Sequence, residues 1–303
     1  MKKSLILGTV LLSMVTFSKE YKDYKTDKLI SADSAKELIL NNKNVVLIDV
    51  RPDAQFMLNN IKGSYNMWRS DMQPKDKRYG EIGGMRASRE EMEIELNKMG
   101  VTNDTVLVLS GNGLDEFRLW WILDLYGMEN VKLVDGGYSA LKETGLKTGF
   151  GMGAKEKKGT FKFTNTPDKD TLAEIHHVKN AIEEKNCHIV DTRSEEEYTG
   201  EDLKKGAFEK GRIPGGVFVE WTQALNSDKT MKSYDELVAM YKEKGIDGTK
   251  EAISYCQSAV RSAHTTFVLK ELLGYENSKN YDGSWIEWSH QAKSGKVELE
   301  KGE

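Results

Sequence analysis

The chain has 303 residues, 38% of them hydrophobic and 30% charged, a balance too apolar for a disordered chain and too charged for an integral membrane protein. Its 44 Lys and Arg against 48 Asp and Glu leave a net charge of −4 without a basic block, which argues against nucleic acid as the partner. Two cysteines, Cys187 and Cys256, rule out a disulfide framework and any multi-cysteine zinc or iron–sulfur site.

The chain starts Met1-Lys2-Lys3 and continues with an uncharged run from Leu5 to Phe17. A short basic start before a short apolar stretch has the layout of a secretory signal, too short for a lasting membrane span. Residues 1–18 are therefore expected to be a signal peptide, and the protein to be exported to the periplasm or cell envelope.

The remainder is written twice. Ser34–Leu40 reads as an amphipathic helix, and VVLIDVR (45–51) as a buried parallel strand ending in Asp-x-Arg. VLVLS (106–110) is a second apolar run, RLWWILDLYG (118–127) a helix, and LVDGG (133–137) closes the unit. The same series returns as a helical Leu172–Glu184, CHIVDTR (187–193), AISYC (252–256), TTFVLKELLG (265–274) and NYDGS (280–284). Asp49 and Asp191, Ser110 and Cys256, and Gly136 and Gly283 recur at a spacing of about 145 residues, the mark of an internal duplication. Strands alternating with helices give an α/β fold of two tandem domains, each a mostly parallel sheet flanked by helices. The domains are expected at 28–148 and 170–294. The linker between them, 149–169, opens Gly- and Lys-rich, and its FKF run is expected to form an interdomain strand. The charged tail after Ser294 should fray.

The informative segment is Cys256-Gln257-Ser258-Ala259-Val260-Arg261, where an apolar strand ends, a short loop follows and a helix begins near Ser262. Ligands of open α/β sheets bind beyond the carboxyl ends of the strands. Inward-pointing loop amides and a helix N-terminus would form an anion cradle there. Such surroundings, with a nearby cation, lower a cysteine pKa from about 8.5 to between roughly 3.5 and 7.5. Cys256 is therefore the candidate nucleophile. Cys187 opens an apolar strand with no loop behind it and reads as a core thiol. A disulfide between the two is not expected, because they lie at different levels of neighbouring strands.

The loop and the doubling resemble the rhodanese (thiosulfate sulfurtransferase) family over about residues 29–291. Its C-terminal signature is matched by Tyr281-Asp282-Gly283-Ser284-Trp285-Ile286-Glu287-Trp288. A second signature is seen in Phe208-Glu209-Lys210-Gly211-Arg212-Ile213-Pro214-Gly215-Gly216, with Arg212 in place of the usual His and Gly216 in place of the usual Ala. Trp120-Trp121 and Asp135-Gly136-Gly137 are similar to the family's inactive N-terminal domain, and Ser110 stands where the second repeat has Cys256. A serine cannot form a stable persulfide, so the first repeat is expected to be structural and to wall one side of the cleft.

The resemblance implies a sulfurtransferase that moves sulfur from thiosulfate to cyanide or a thiol through a Cys256 persulfide, with neither metal nor organic cofactor. Gln257, Ser258, Ala259, Val260 and Arg261 would hold the donor, with Arg193 and Arg212 as further cations, although the reading preferred for Asp191 and Arg193 is structural, holding the strand end and loop in register. Four residues separate Cys256 from Arg261, against five in the Cys-phosphatases, and the tighter ring favours sulfur over phosphate. Glu197 stands where several tandem members carry a second Arg, and an acid there is expected to weaken anion binding. His264 reads as packing. A 3-mercaptopyruvate sulfurtransferase or a non-enzymatic sulfur carrier or binding module is the alternative. Partners are expected to be small molecules and the chain a monomer.

Overall fold

A computed structural model describes Tyr21 and residues 23–164 and 169–302. The expected signal peptide at 1–18 and part of the linker lie outside these residues.

In the first repeat β1 (Leu29–Ile30) leads into α1 (Ala32–Asn41), capped by Ser31, whose hydroxyl accepts from Ser34 N at 3.2 Å. Then follow β2 (Val45–Asp49), α2 (Asp53–Leu58), β3 (Asn60–Ile61), β4 (Tyr65–Asn66) and α3 (Arg89–Lys98). The unit ends with β5 (Val106–Ser110), α4 (Asp115–Leu125), β6 (Val131–Val134), α5 (Gly137–Glu143) and β7 (Thr148–Gly149). The second repeat contains β8 (Leu172–Ala173), α6 (Ile175–Glu184), β9 (Cys187–Asp191), α7 (Glu195–Thr199), β10 (Val217–Phe218) and α8 (Tyr234–Glu243). It ends with β11 (Glu251–Tyr255), α9 (Arg261–Phe267) running into a π turn at Val268–Leu272, β12 (Ser278–Tyr281) and α10 (Ser284–Lys293).

Both large sheets are five-stranded and wholly parallel. Their orders, β1-β6-β5-β2-β4 and β8-β12-β11-β9-β10, are the same topology. The central pairs repeat residue for residue: Asp49 lies beside Ser110 in one sheet, and Asp191 beside Tyr255 in the other, so Ser110 matches Tyr255 and the residue that stands in the place of Cys256 is Gly111, not Ser110 as expected. Helices cover the faces, so the central strands read as unbroken apolar runs rather than alternating ones.

Helix α4 is buried on almost every side, including Leu119, Trp120, Trp121, Ile122 and Leu123, all 0% exposed. A helix apolar all round must lie between layers. Here α4 packs against α9 of the other repeat, with Trp120 edge-on to Phe267 at 4.8 Å and Phe117 to Phe267 at 5.1 Å. One apolar cluster therefore runs through both repeats.

Three local expectations are corrected. Leu172 and Ala173 pair with Asn280 and Tyr281 as an edge strand, so the helix starts at Ile175. The FKF run joins no sheet: Phe161 and Phe163 are buried in the first repeat's core, and their amides go to Asn97 Oδ1 and Glu93 Oε1. The tail after Ser294 is anchored rather than frayed. Arg212 and Glu300 exchange backbone hydrogen bonds of 2.8 and 3.0 Å, and Val297 and Leu299 pack on the second core.

Among the described residues no helix is long and apolar enough to cross a membrane.

Candidate active site

Strand β11 ends at Tyr255, and Cys256–Val260 curl back to the N-terminus of α9. The curl needs a left-handed residue, Ala259 at φ +57°, where the first repeat's loop has Gly113 at φ +88°. An alanine there costs about 1–2 kcal/mol more than glycine, and tertiary contacts hold it in place. Ala259 N donates to Ser284 Oγ at 3.0 Å, and its carbonyl accepts from Asn280 Nδ2 at 3.2 Å and Arg118 Nη1 at 3.4 Å. Ser284 Oγ also accepts from Cys256 N at 3.2 Å and donates to Tyr281 O at 2.8 Å. One hydroxyl thus ties both ends of the curl to the Tyr281–Ser284 turn. Trp285 N and Ile286 N donate to the carbonyls of Cys256 and Gln257, turning the loop's acceptors away from the thiol.

What remains aimed at the Cys256 sulfur is donors. The Ser262 hydroxyl donates to it at 3.5 Å, and the backbone amides of Ser258 and Ser262 favour its anionic form. Burial pushes the thiol pKa up, since Cys256 is 1% exposed. Arg261 and these donors outweigh burial, and the net shift is downward. Cys187 shows the contrary case: burial, with Glu251 and Glu184 beside it, pushes its thiol up to about 12. The two lie at opposite ends of adjacent strands and both are free.

Arg261 is held by Glu197, Nη1 to Oε2 at 2.6 Å and Nη2 to Oε1 at 2.9 Å. Glu197 is the third residue of α7 and completes a capping box with Ser194, so its position follows from the helix start. Burial works against its charge, but Arg261 lowers its pKa overall. The acid that the sequence reading set against anion binding fixes the cation beside the thiol.

Among the described residues neither Arg193 nor Arg212 gives a hydrogen bond to the loop, although Arg193 lies over the Tyr255 and Trp285 rings that flank it. Arg193 is 1% exposed and gives Nε and Nη2 to Asp191 and Nη2 also to Gly211 O. Arg51 holds Asp49 in the first repeat at the same 2.9 and 2.6 Å, so this pair belongs to the fold, joining strand end to loop. Arg212 gives Nε to Glu300 Oε2 at 3.0 Å and lies over the Tyr198 ring. Gln257 reaches Lys205 O at 3.3 Å. His264 is sealed between Phe117 and Trp221, and burial pushes it down to about 3, so it stays neutral in the core.

The first repeat closes over the loop. Gly84 approaches Ser258 so nearly that a Cβ on it would stand 2.6 Å from Ser258 Cβ. Arg86 Nη1 and Arg118 Nη2 both reach Asp282, at 2.7 Å each, joining the first repeat to the turn that carries Ser284. Between the repeats lies a cavity of about 230 Å³ bounded by Arg69, Met72, Gln73, Gly84, Ser258, Val260 and Ile286 among others. Sequence reasoning missed Ser262, Ser284, Arg86, Arg118 and Gly84. Ser284 alone left a readable trace, falling in the Tyr281–Trp288 signature.

The first repeat's own loop is filled. Where the second has Ser262 the first has Glu116, whose carboxylate accepts from Gly113 N and Leu114 N at 2.9 Å each. A Cβ on Gly111 would stand 2.4 Å from Glu116 Oε2, so this seating depends on glycine.

A family model described as Rhodanese-like domain matches residues 31–144 and 174–291. A Mycobacterium tuberculosis H37Rv protein named "Putative thiosulfate sulfurtransferase" is 35% identical over 274 residues, covering 87% of this chain and 95% of its own. A Haloferax volcanii protein of the same name is 32% identical over 286 residues, covering 88% and 95%. Among solved structures, EanB in complex with hercynine superposes with a TM-score of 0.79 at 22% identity, over 93% of this chain and 71% of that one. YnjE gives 0.76 at 22% identity, over 91% and 68%; both are likenesses of fold. With two family domains in tandem and relatives above 30% identity along most of its length, the chain belongs to the rhodanese-like sulfurtransferase family.

Proposed function

We propose that the chain is a thiosulfate sulfurtransferase whose second repeat carries the sulfur on Cys256. The observation that supports this most is the Ser262 hydroxyl donating to a buried sulfur at 3.5 Å, at the end of a loop where Arg261 and the neighbouring amides lower the thiol's pKa against its burial. A water-poor ring of donors favours an anionic sulfur both before and after it gains a second one.

In the first half-reaction the Cys256 thiolate attacks the outer sulfur of thiosulfate. The S–S bond of the donor breaks, its electron pair leaves with sulfite, and a persulfide anion remains on Cys256. In the second, a nucleophile such as cyanide or a thiolate attacks the outer sulfur of that persulfide, and the pair of the breaking bond returns to Cys256 as thiolate. Each step conserves charge and breaks one S–S bond, forming in its place another S–S bond or, with cyanide, an S–C bond. Arg261, held by Glu197, offsets the charge of the incoming dianion.

Intact mass after incubation with thiosulfate tests the reading. The expected result is a gain of one sulfur atom mapped to Cys256, abolished by Cys256→Ser and retained by Cys187→Ser. Sulfur gained at Cys187, or at neither cysteine, overturns it.

A further inference from the structure

The interdomain cavity extends past what thiosulfate needs. At the roughly 30 Å³ a water takes in the liquid, 230 Å³ holds about seven waters, more than a five-atom oxyanion fills. It adjoins the catalytic loop at Ser258 and Val260 and has apolar walls from Met72, Val260 and Ile286. Its polar side chains are Gln73, Ser258 and two guanidiniums.

The two guanidiniums differ. Arg118 is 3% exposed and committed to Ala259 O, Gly84 O and Asp282. Arg69 has a side chain 41% exposed and gives Nε to Asp115 Oδ1 at 2.5 Å; among the described residues neither of its Nη groups has an acceptor. Asp115 thus orients the fork by one edge and leaves the other free. An arginine presented this way suits a carboxylate or sulfonate, which takes two parallel N–H donors.

We propose that this cavity is the acceptor subsite, and that Arg69 binds the anionic end of a small thiol whose short apolar chain lies along Met72, Val260 and Ile286. Resting on the sulfurtransferase reading, this names the class of acceptor: a low-molecular-weight thiol carrying a carboxylate or sulfonate. The acceptor's thiolate attacks the outer sulfur of the Cys256 persulfide, the persulfide bond breaks toward Cys256, and the product leaves as the acceptor's own persulfide.

The test separates the two claims. Sulfur uptake from thiosulfate by the full chain, read by mass, addresses the parent reading. For the subsite, Cys256 is loaded chemically with polysulfide. Discharge rates to 3-mercaptopropionate and to neutral 2-mercaptoethanol are then compared in wild type, Arg69→Ala and Arg69→Lys. Because each variant is scored by the ratio of its two rate constants, a general loss of folding or reactivity cancels. The expected result is a ratio lowered about tenfold in Arg69→Ala, partly restored in Arg69→Lys, and lowered in wild type by added salt. A ratio that Arg69→Ala leaves unchanged overturns the proposal, even if sulfur uptake from thiosulfate proceeds normally.

Discussion

Glu197 holds Arg261 by both edges of its guanidinium, at 2.6 and 2.9 Å, with only 2% of the carboxylate side chain and 18% of the arginine exposed. Removing either partner strands the other with little access to water, which costs about 3–5 kcal/mol when the pair is buried. Glu197→Ala and Arg261→Ala should each lower stability by about 2–4 kcal/mol, slightly less because Arg261 keeps some solvent. The double variant should lose less than the two together, since neither charge is then left alone. Urea unfolding of the four proteins measures the coupling; additive losses would show that the contact contributes nothing.

The two thiols should titrate far apart. Cys256 is lowered by Arg261 and the Ser262 and Ser258 donors despite its burial, whereas Cys187 is pushed up to about 12. Because the thiolate is the reactive form, alkylation by iodoacetamide should label Cys256 first, with an inflection below the free-cysteine value of about 8.5. Cys187 should stay unlabelled until strongly alkaline solution. Arg261→Ala should move the Cys256 inflection upward, because burial then acts against the anion with one opposing charge fewer. Peptide mapping across a pH series gives both curves.

The doubling, the strand ends and the reactive loop were legible in the sequence because each rests on local pattern: apolar runs of strand length, Asp-x-Arg at their ends, and Cys256 followed by Arg261 before a helix. The partners were not. Glu197 lies 64 residues from Arg261, Asp282 lies 164 from Arg118, and nothing in their immediate surroundings announces the pairing. Arg193 carried two readings, and the structural one holds: its guanidinium joins the strand end to the following loop through the aspartate two positions before it, leaving the anion-ligand reading without its donors. The anchoring of Glu300 on Arg212 was hidden because a charged tail reads as solvated until an opposite strand is known.

Asp282 joins the repeats. It is 2% exposed and takes Arg118 Nη2 and Arg86 Nη1 at 2.7 Å each; with α4 and α9 sharing one core, neither repeat buries its interface alone. The protein should therefore unfold in a single transition despite having two family domains. Asp282→Ala, leaving two guanidiniums without their carboxylate, should cost about 3–5 kcal/mol. Persulfide formation should also slow, since Ser284 and the loop hang from the same turn. Calorimetry with van't Hoff comparison checks the first point. Two resolved transitions in the wild type would show the repeats to be independent.

Glu116 gives the first repeat a pH signature. Burial pushes its carboxyl up to about 7 even though its own amide and those of Gly113 and Leu114 pull the other way. A carboxyl raised on folding makes the protonated folded state the favoured one. The stability it contributes is therefore complete at pH below about 4.5, is lost as pH rises to about 7, and is then flat. At 1.36 kcal/mol per unit, most of about 3 kcal/mol should disappear between pH 5 and 8. Glu116→Gln keeps an acceptor oxygen in the cradle but cannot ionise. Relative to wild type it should gain about 2–3 kcal/mol in urea stability on going from pH 5 to pH 8, whatever its stability at either end. A constant difference between the two proteins across that range would mean that the carboxylate is as well solvated in the folded state as in the unfolded chain, which is incompatible with its seat in the loop.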